Sequence, residues 1–406
     1  MRILNVTQSY FPFEEFGGPP VKVRALSEQL SKRGHQVTVL TADWGLERRG
    51  IVKPANGTAE RSPFGWRCEE NGVEAIYLPT WLRYRALSWN PGATRFCRAR
   101  LWNFDVVHIF GLYDLLGPVV AAACRRHGTP CVVEPIGMFV PIVRNLRLKR
   151  MYHLTLGQPM LRGSRAIIAT SAQEATELTS AGLAAEKIVL RRNGVDTPKM
   201  LPERGKFRAA HGIPKESKLI LYLGRLSEKK SPDLLLQAFA LLYKAGGGTE
   251  PRLIFAGPDE SCMKARLQKM AGVLGVASQV QFCGPVFGDA KWSAYRDADV
   301  FVLSSQNENF GNAAGEAVAA GTPVVVTERC GIAPLLGNSA LVVAHDAHAI
   351  SEALRRVLFE PRLHSWMSSG CREAAARLDW EGPASEMERV YSQLAKSERQ
   401  ARELRH

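Results

Sequence analysis

The sequence predicts an α/β fold of two doubly wound domains, in which parallel strands alternate with helices. Short apolar runs, such as Arg2–Thr7 and Leu219–Leu223, alternate with longer stretches of helical spacing along most of the 406 residues. The alternation lapses between Asn193 and Pro214, where turn-forming residues accumulate, and then begins again. The chain is also longer than one ordinary core accommodates, which favours two domains.

The first half of the chain carries the first series of elements. Pro19–Lys32 is predicted as a helix that ends just before Gly34, and residues 44–72, rich in Gly, Pro and Arg, as a long loop. The predicted strands are Arg2–Thr7, Val37–Thr41, Val73–Leu78, Asp105–Phe110, Cys131–Glu134, Ala166–Thr170 and Ile188–Leu190, with further helices at about 114–127, 145–161 and 172–181.

The second half repeats the pattern. Its predicted strands are Leu219–Leu223, Leu253–Ala256, Val280–Cys283, Asp299–Ser304, Pro323–Thr327 and Ala340–Ala344, with helices at 231–245, 259–274, 288–297, 347–359 and 361–378. The last stretch, Pro383–Leu404, is predicted as a charged helix whose apolar face we expect to pack on the first domain. The expected organisation is a first domain over 1–192, a linker over 193–214, a second domain over 215–378 and the terminal segment 379–406.

Composition is that of a globular protein, with 46% hydrophobic and 23% charged residues. No stretch approaches the ~18 apolar residues of a spanning helix, and the start lacks the features of a signal peptide. The eight scattered cysteines indicate reduced, structural thiols, so a cytoplasmic location is expected. The net charge of +14 fits either simple solubility or a polyanionic partner such as membrane phospholipid, a lipid-linked phosphate or nucleic acid.

One stretch, 304–323, carries most of the functional information. A loop with Glu308 leads into a short helix of small residues that contains Glu316, between two apolar runs. Such a helix N-terminus, aimed at the carboxyl edge of a parallel sheet, suits phosphate, and Gly311 with its small neighbours leaves room for a ligand. Carboxylates repel phosphate, so both glutamates are expected to bind hydroxyls. A nucleotide-sugar has both kinds of group.

Three further features lie near the ends of predicted strands or just after them. Gly17-Gly18-Pro19 fits either backbone contact with a diphosphate or a plain turn before a helix. Arg225 and Lys230 fit either neutralisation of a departing diphosphate or a solvated basic turn. His108 fits either a site residue or a core histidine. Dinucleotide and Walker A fingerprints are absent, which disfavours NAD and ATP.

Two segments interleave cations with aromatic or apolar residues. The first is Trp81–Asn103, with arginines at 83, 85, 95, 98 and 100, and the second contains Arg144, Arg147, Lys149 and Arg150. This pattern fits a membrane interface, a nucleic-acid surface or simply solvated helix faces.

Taken together, these motifs resemble those of the retaining glycosyltransferases of family 4, over nearly the whole chain. The most specific is Glu308-x7-Glu316 within N-E-N-F-G-N-A-A-G-E-A-V-A-A-G-T-P-V-V, followed by G-R-L-S-E-K-K with Arg225 and Lys230. R-N-G-V-D at 192–196, the Gly17-Gly18 loop and D-W-E at 379–381 agree in order and spacing.

The resemblance implies the GT-B fold, two Rossmann-like domains facing across a cleft with the last helix crossing back to the first domain. It implies that Arg225 and Lys230 bind the donor diphosphate in place of a divalent metal, so that neither a metal nor another cofactor is required. Backbone N–H groups of Gly17 or Gly18 and of Phe310, Gly311 and Asn312 would assist. Glu316 would bind the ribose and Glu308 the donor sugar, while the first domain would bind the acceptor.

The first domain departs from the family pattern at two places. Many relatives carry H-x-H-G where this chain has His108-Ile109-Phe110-Gly111, and P-H-G where it has Pro135-Ile136-Gly137. The acceptor chemistry and a catalytic role for His108 therefore do not follow directly from the resemblance.

The resulting prediction is a retaining transfer of a sugar from a nucleotide-sugar, UDP- rather than GDP-linked, to a hydroxyl of a glycan or lipid-linked acceptor. The expected setting is cell-surface polysaccharide or glycolipid synthesis on the cytoplasmic membrane face, with no nucleic-acid partner. Two alternatives stay open: a GT-B sugar-nucleotide epimerase or phosphorylase, and an inactive protein that binds membrane or nucleic acid.

Overall fold

A computed structural model shows the chain as two compact units and describes residues 1–13, 18–46, 58–84, 87–139, 146–246 and 250–403. The first unit comprises Met1–Gly194 and Trp380–His406, and the second comprises Val195–Asp379. The chain thus leaves the first unit and returns to it for its final helix.

The first unit is built on a nine-stranded sheet in the order β11-β10-β9-β8-β1-β2-β5-β4-β3. Its strands are β1 Arg2–Thr7, β2 Gln36–Ala42, β3 Thr58–Ser62, β4 Gly65–Glu70, β5 Val73–Leu78, β8 Val106–Phe110, β9 Cys131–Glu134, β10 Ala166–Ala169 and β11 Ile188–Leu190, and a separate hairpin is formed by β6 Leu82–Tyr84 and β7 Leu87–Trp89. Its helices are α1 Gly18–Lys32, α2 Gly92–Arg100, α3 Leu116–His127, α4 Leu146–Tyr152, α5 Gln158–Gly163, α6 Ala172–Ser180 and α14 Glu381–Glu403.

The predicted long loop over 44–72 is wrong, because β3 and β4 form an antiparallel edge there, and β4 pairs with β5. Edge strands are half solvated, so they carry few of the apolar residues by which strands are recognised. Arg67 of β4 instead pairs with Glu60 and Glu74 on the strands beside it. The 47–57 part of the predicted loop lies outside the described residues.

Two hydrophobic cores cover the two faces of the first sheet. One contains Leu26 and Leu30 of α1 together with Met387, Val390 and Tyr391 of α14. The expected packing of the last helix on the first domain is therefore confirmed. Arg33 of α1 fastens the helix further through Glu388, at 2.6 Å.

The second unit is a six-stranded, all-parallel sheet in the order β14-β13-β12-β15-β16-β17. Its strands are β12 Lys218–Leu223, β13 Pro251–Ala256, β14 Val280–Gly284, β15 Val300–Leu303, β16 Val324–Thr327 and β17 Ala340–Val343. Its helices are α7 Lys206–Ala210, α8 Pro232–Ala245, α9 Met263–Leu274, α10 Gly288–Asp297, α11 Asn312–Ala319, α12 Ala347–Phe359 and α13 Pro361–Ala376. Both sheets are doubly wound, as the alternation of strands and helices predicted.

The segment predicted as the linker, 193–214, contains the break between the units, and from Val195 onward it counts with the second unit. Within it, α7 buries Phe207 in the second unit's core, and Asp297 accepts hydrogen bonds from the N–H groups of Phe207 and Arg208. Across the residues that the structure describes, no helix has the length and apolar character needed to cross a bilayer.

Candidate active site

The second unit places its predicted site residues at the point where the strand order reverses. From β12 the chain proceeds outward to β13 and β14, and it then returns to β15 on the other side of β12. The loops that follow β12 and β15 therefore diverge at the carboxyl edge of the sheet and leave a crevice between them, which is where open α/β sheets bind ligands. Arg225 and Lys230 lie in the first of these loops and Glu308 in the second.

Lys230 and Glu308 join the two loops directly. The Lys230 ammonium lies 2.9 Å from Glu308 Oε2, and both side chains remain partly exposed. Backbone bonds hold Glu308 from the other side: its N–H donates to Arg329 and its carbonyl accepts from Gly331 in the loop after β16. The carboxylate and the ammonium are thus fixed at the mouth of the crevice, where both can contact a polar ligand.

Arg225 is the most accessible cation of this group, with 48% of its side chain exposed. Its nearest recorded ion-pair contact is to Glu260, at 4.0 Å. The loop that carries it packs against the turn after β13, because a Cβ on Gly257 would lie 1.9 Å from the Gly224 carbonyl oxygen. This packing positions the Arg225 backbone and leaves its guanidinium able to reach an anion.

Glu316 is held by two residues that the sequence analysis did not identify. Lys291 donates to Oε1 at 2.8 Å and the buried Tyr295 hydroxyl to Oε2 at 2.9 Å. Lys291 and Tyr295 are four residues apart on α10, a spacing that puts both on one helix face and could have signalled the pair. Each carboxylate oxygen keeps a lone pair for a ligand hydroxyl. The two contacts therefore orient Glu316 and leave it able to accept further hydrogen bonds.

Two glycines of this site are required by the packing of the second unit. A Cβ on Gly311 would lie 3.0 Å from Ile332 and 3.1 Å from Leu303, and one on Gly315 would lie 2.7 Å from Val195. Gly311 also has a φ of +104°, which favours glycine. Side chains of the protein itself therefore occupy the space where a Cβ would lie at both positions, which is a packing reason for glycine. That the backbone here leaves room for a ligand stays a prediction. Phe310 is buried beside them, and Asn312 begins α11.

In the first unit the strand order reverses between β1 and β8. Gly18 begins α1 after β1, whereas Gly17 lies outside the described residues. Beyond β9, Ile136 has a φ of +56°, an uncommon conformation for a β-branched residue. The next N–H, of Gly137, donates to the buried Glu174 at 2.6 Å. Such locally strained backbone at a sheet edge is typical of binding loops.

His108 is completely buried in this unit. Its Nδ1 lies 2.6 Å from the Tyr391 hydroxyl of α14, and its Nε2 lies 3.6 Å from Glu134. Glu134 in turn forms buried ion pairs with Lys22 of α1 and with Arg191, which follows β11. The structure thus places His108 in a buried polar cluster, and its predicted catalytic role stays a prediction.

Charge and burial give this cluster unusual protonation equilibria. Burial lowers the pKa of Lys22 to about 8, which its partner Glu134 partly opposes. Burial raises the pKa of Glu134, but Arg191 and Lys22 outweigh it and bring that pKa to about 2. Burial lowers the pKa of His108 to about 3, so its imidazole is neutral at ordinary pH.

We expect His108 to make stability fall in mild acid. The unfolded chain protonates this histidine below about pH 6.5, whereas the folded chain does so only near pH 3, so the unfolded state binds more protons in between. The free energy of unfolding should fall by about 2 kcal/mol between pH 6.5 and 4.5 on account of His108. Urea titrations of the wild type and His108→Asn at several pH values measure this.

The comparison of variants isolates His108 from two other buried acids. The stability that Glu134 contributes is lost below this window, and Asp114, whose pKa burial raises to about 6, acts oppositely but equally in both proteins. His108→Asn should have a lower free energy of unfolding than the wild type at neutral pH, and it should lose less of that free energy in acid. His127→Asn, at an exposed position, is the control. Equal acid slopes in the wild type and His108→Asn would contradict the prediction.

Family profiles match both halves of the chain. The profile described as "Glycosyl transferase 4-like domain" matches residues 17–194, and that described as "Glycosyl transferases group 1" matches residues 203–374. The "D-inositol 3-phosphate glycosyltransferase 2" of Catenulispora acidiphila is 32% identical, over 93% of this chain and 90% of the relative. The "D-inositol 3-phosphate glycosyltransferase" of Frankia alni is 30% identical, over 92% and 94%.

Solved structures share the fold over almost the whole chain. Sucrose-phosphate synthase from Thermosynechococcus elongatus superposes with a TM-score of 0.74 at 21% identity, covering 98% of this chain and 99% of the other. Anabaena HepE, solved in complex with UDP and glucose, gives 0.74 at 17% identity, covering 97% and 100%. The fold is GT-B, and the chain belongs to the group 1 glycosyltransferases of the family 4 type.

Proposed function

We propose that this enzyme transfers a sugar from a nucleotide-sugar to a hydroxyl of a glycan or lipid-linked acceptor, with retention of configuration. The donor would be UDP-linked rather than GDP-linked, and the second unit would bind it. The first unit would bind the acceptor. The expected setting is the synthesis of cell-surface polysaccharide or glycolipid at the cytoplasmic face of the membrane.

The observation that carries this proposal is the convergence of cations and oriented carboxylates at one crevice. Arg225 and Lys230 supply two positive charges at the end of β12, and Glu308 lies 2.9 Å from Lys230 at the end of β15. Glu316 is fixed one turn into α11 by Lys291 and Tyr295. Cations suit a diphosphate, and carboxylates suit the hydroxyls of the ribose and the sugar.

The comparisons favour this donor class over the alternatives. HepE was solved with UDP, with UDP-glucose, and with UDP and glucose, which supports a UDP-linked donor for a chain of the same fold. The curated relatives are named as transferases that act on D-inositol 3-phosphate, an acceptor with several hydroxyls. A transferase is favoured over an epimerase, a phosphorylase or an inactive binding protein.

The chemistry would consist of positioning and charge stabilisation. The bond between the anomeric carbon and the diphosphate oxygen breaks, and the acceptor oxygen bonds to the same face of that carbon. The acceptor proton passes to the departing phosphate oxygen, so no enzymic nucleophile is consumed. Arg225 and Lys230 would stabilise the charge that grows on the diphosphate, which is the kind of interaction that contributes most when it is preorganised.

No metal is assigned to this step. Within the described part of the chain, no three His, Cys, Asp or Glu side chains cluster as a metal site would require. Metal independence stays a prediction, and activity assays with and without EDTA test it.

Thermal stabilisation by ligands tests the donor site first. The panel is UDP, GDP, UDP-glucose, UDP-GlcNAc, UDP-galactose, GDP-mannose and NAD, each with the wild type and with Glu316→Ala. A ligand at ~100 times its Kd should stabilise the folded protein by about 2.7 kcal/mol. We expect one UDP-sugar to raise the Tm of the wild type and to have little effect on the variant.

A matched control uses Glu328→Ala, which removes a carboxylate from the loop after β16 instead of from α11. This variant should keep the response of the wild type. If no nucleotide-sugar stabilised the wild type, or if Glu316→Ala responded fully, the proposed donor site would be wrong.

A further inference from the structure

The aromatic and basic segment Trp81–Asn103 does not form a single surface. Trp81 and Trp89 belong to the β6–β7 hairpin, which follows β5, and Asn90 fixes its base by donating to the carbonyls of Leu78 and Pro79. Arg83 of the hairpin stacks over Trp44, which follows β2. The hairpin therefore lies at the carboxyl edge of the first sheet.

Trp102 lies at the opposite edge of the same sheet. It immediately precedes the segment where the Asp105 N–H donates to the Arg2 carbonyl, at the amino-terminal end of β1. Trp81 and Trp102 are equally exposed, at 70% each. The sequence places them close together, but the fold separates them, which provides an internal comparison.

A second apolar element reaches the carboxyl edge from another part of the chain. The Tyr152 hydroxyl of α4 donates to the Asp114 carbonyl beyond β8, and Lys149 lies over the Tyr113 ring. These inward contacts turn the opposite side of the helix outward. The helix and the turn that continues it expose Leu148, Met151 and Leu154.

Exposed apolar residues at this edge thus come from two separate elements, which we call the rim. It consists of Trp81, Leu82 and Trp89 on the hairpin and of Leu148, Met151 and Leu154 on the helix that starts with α4. Trp81 and Trp89 contact each other edge to face, with ring centroids 6.1 Å apart. Exposed tryptophan and leucine in such numbers mark an interaction surface.

The charges beside the rim indicate the partner. No Asp or Glu occurs between Glu74 and Asp105, or between Glu134 and Glu174. The arginines of these stretches include Arg83 on the hairpin and Arg147 and Arg150 on the outer side of α4, all three of them exposed. Tryptophan, leucine and arginine on one edge, without a carboxylate in either stretch, match the interface of an anionic bilayer.

We infer that the rim is a membrane-docking surface, which inserts its tryptophan and aliphatic side chains into the headgroup region of an anionic phospholipid bilayer. Its place at the carboxyl edge turns the proposed acceptor side of the first unit toward the lipid. An acceptor anchored in the membrane would then be presented directly to that edge. This last consequence rests on the proposed function, but docking itself does not.

Vesicle binding by the full-length protein tests the inference. The probes are vesicles of phosphatidylcholine alone and of phosphatidylcholine with phosphatidylglycerol in equal parts, and sedimentation gives the partition coefficient. We expect the wild type to bind the anionic vesicles. The partition coefficient of the double variant W81A/W89A should be lower by a factor of about 10 or more. M151Q/L154Q should show a loss of the same kind, whereas W102A should bind like the wild type.

A second measurement needs no variant. Vesicles with brominated acyl chains should quench part of the tryptophan fluorescence of the wild type, and W81A/W89A should lose that part. Wild-type binding that W102A weakens as much as W81A/W89A would overturn the inference, as would unchanged binding of the rim variants. So would a wild type that binds duplex DNA but not anionic vesicles.

The design separates this inference from the donor assignment. The vesicle measurements contain no nucleotide-sugar, and the rim residues belong to the first unit. W81A/W89A should therefore keep the Tm response to the UDP-sugar. If the wild type showed no Tm response to any UDP-sugar, the proposed donor site would be contradicted, and the docking result would be unaffected.

Discussion

Replacing Arg225 by alanine is expected to lower kcat/KM for sugar transfer about 100-fold or more. The guanidinium is half exposed at the crevice, and its nearest recorded ion-pair contact, Glu260, is 4.0 Å away. Its charge is thus available to a diphosphate, because no close ion pair neutralises it among the described residues. Because charge grows on the diphosphate as the sugar departs, the effect should appear mainly in kcat.

Controls distinguish this role from a general effect of charge. Arg266→Ala removes a neighbouring exposed cation, which pairs with Glu228 at 3.2 Å, and should leave kcat/KM unchanged. Arg225→Lys keeps the charge but not the planar fork, so an intermediate rate is expected. The Tm of Arg225→Ala should match that of the wild type within about 1 °C, because the side chain is largely solvated. Near-normal turnover in Arg225→Ala would refute the assignment.

Replacing Glu134 by glutamine is expected to destabilise the first unit by about 3–5 kcal/mol. The carboxylate, completely buried, compensates the buried charges of Lys22 and Arg191. Glutamine keeps the shape but leaves both cations without their common counter-ion. Urea unfolding at neutral pH measures the loss, which should appear as a lower midpoint.

The location of the destabilisation is as informative as its size. Hydrogen exchange should accelerate in peptides of the first unit, including α14, and stay unchanged in peptides of Val195–Asp379. Tyr391→Phe, which removes only the hydroxyl beside His108, should cost about 1 kcal/mol. Combining Glu134→Gln with Lys22→Met should restore part of the stability, since one of the uncompensated charges disappears. If Glu134→Gln were as stable as the wild type, the ion pairs of Glu134 would make no net contribution to the free energy of unfolding.

The two charged clusters of this enzyme differ in burial and in role. At the proposed donor site the charged groups are partly exposed and each keeps capacity for a ligand. In the first unit the cluster around Glu134 is closed, and it connects α1, β8, β9 and the C-terminal helix. The first arrangement is suited to binding and the second to holding α14 against the sheet.

Local pattern was sufficient for most strands and helices and for the positions of Arg225, Lys230 and Glu308 after their strands. Apolar runs of four or five residues identified strands such as Leu219–Leu223 and Leu253–Ala256, because buried parallel strands are apolar on both faces. The residues after those runs meet at one sheet edge whatever the details of packing. For this reason Arg225, Lys230 and Glu308 could be assigned to one crevice from their positions after β12 and β15.

Contacts between distant positions could not be read in this way. Lys291 and Tyr295 reach Glu316 across more than twenty residues, and His108 reaches Tyr391 across 283. Polar edge strands escaped notice because solvent, not the core, covers them. The neighbouring tryptophans 81 and 102 were separated to opposite edges by the intervening helix α2. The sequence specifies which chemical groups follow which strand, whereas side-chain packing in three dimensions decides which groups are buried, which are paired, and which remain available to a ligand.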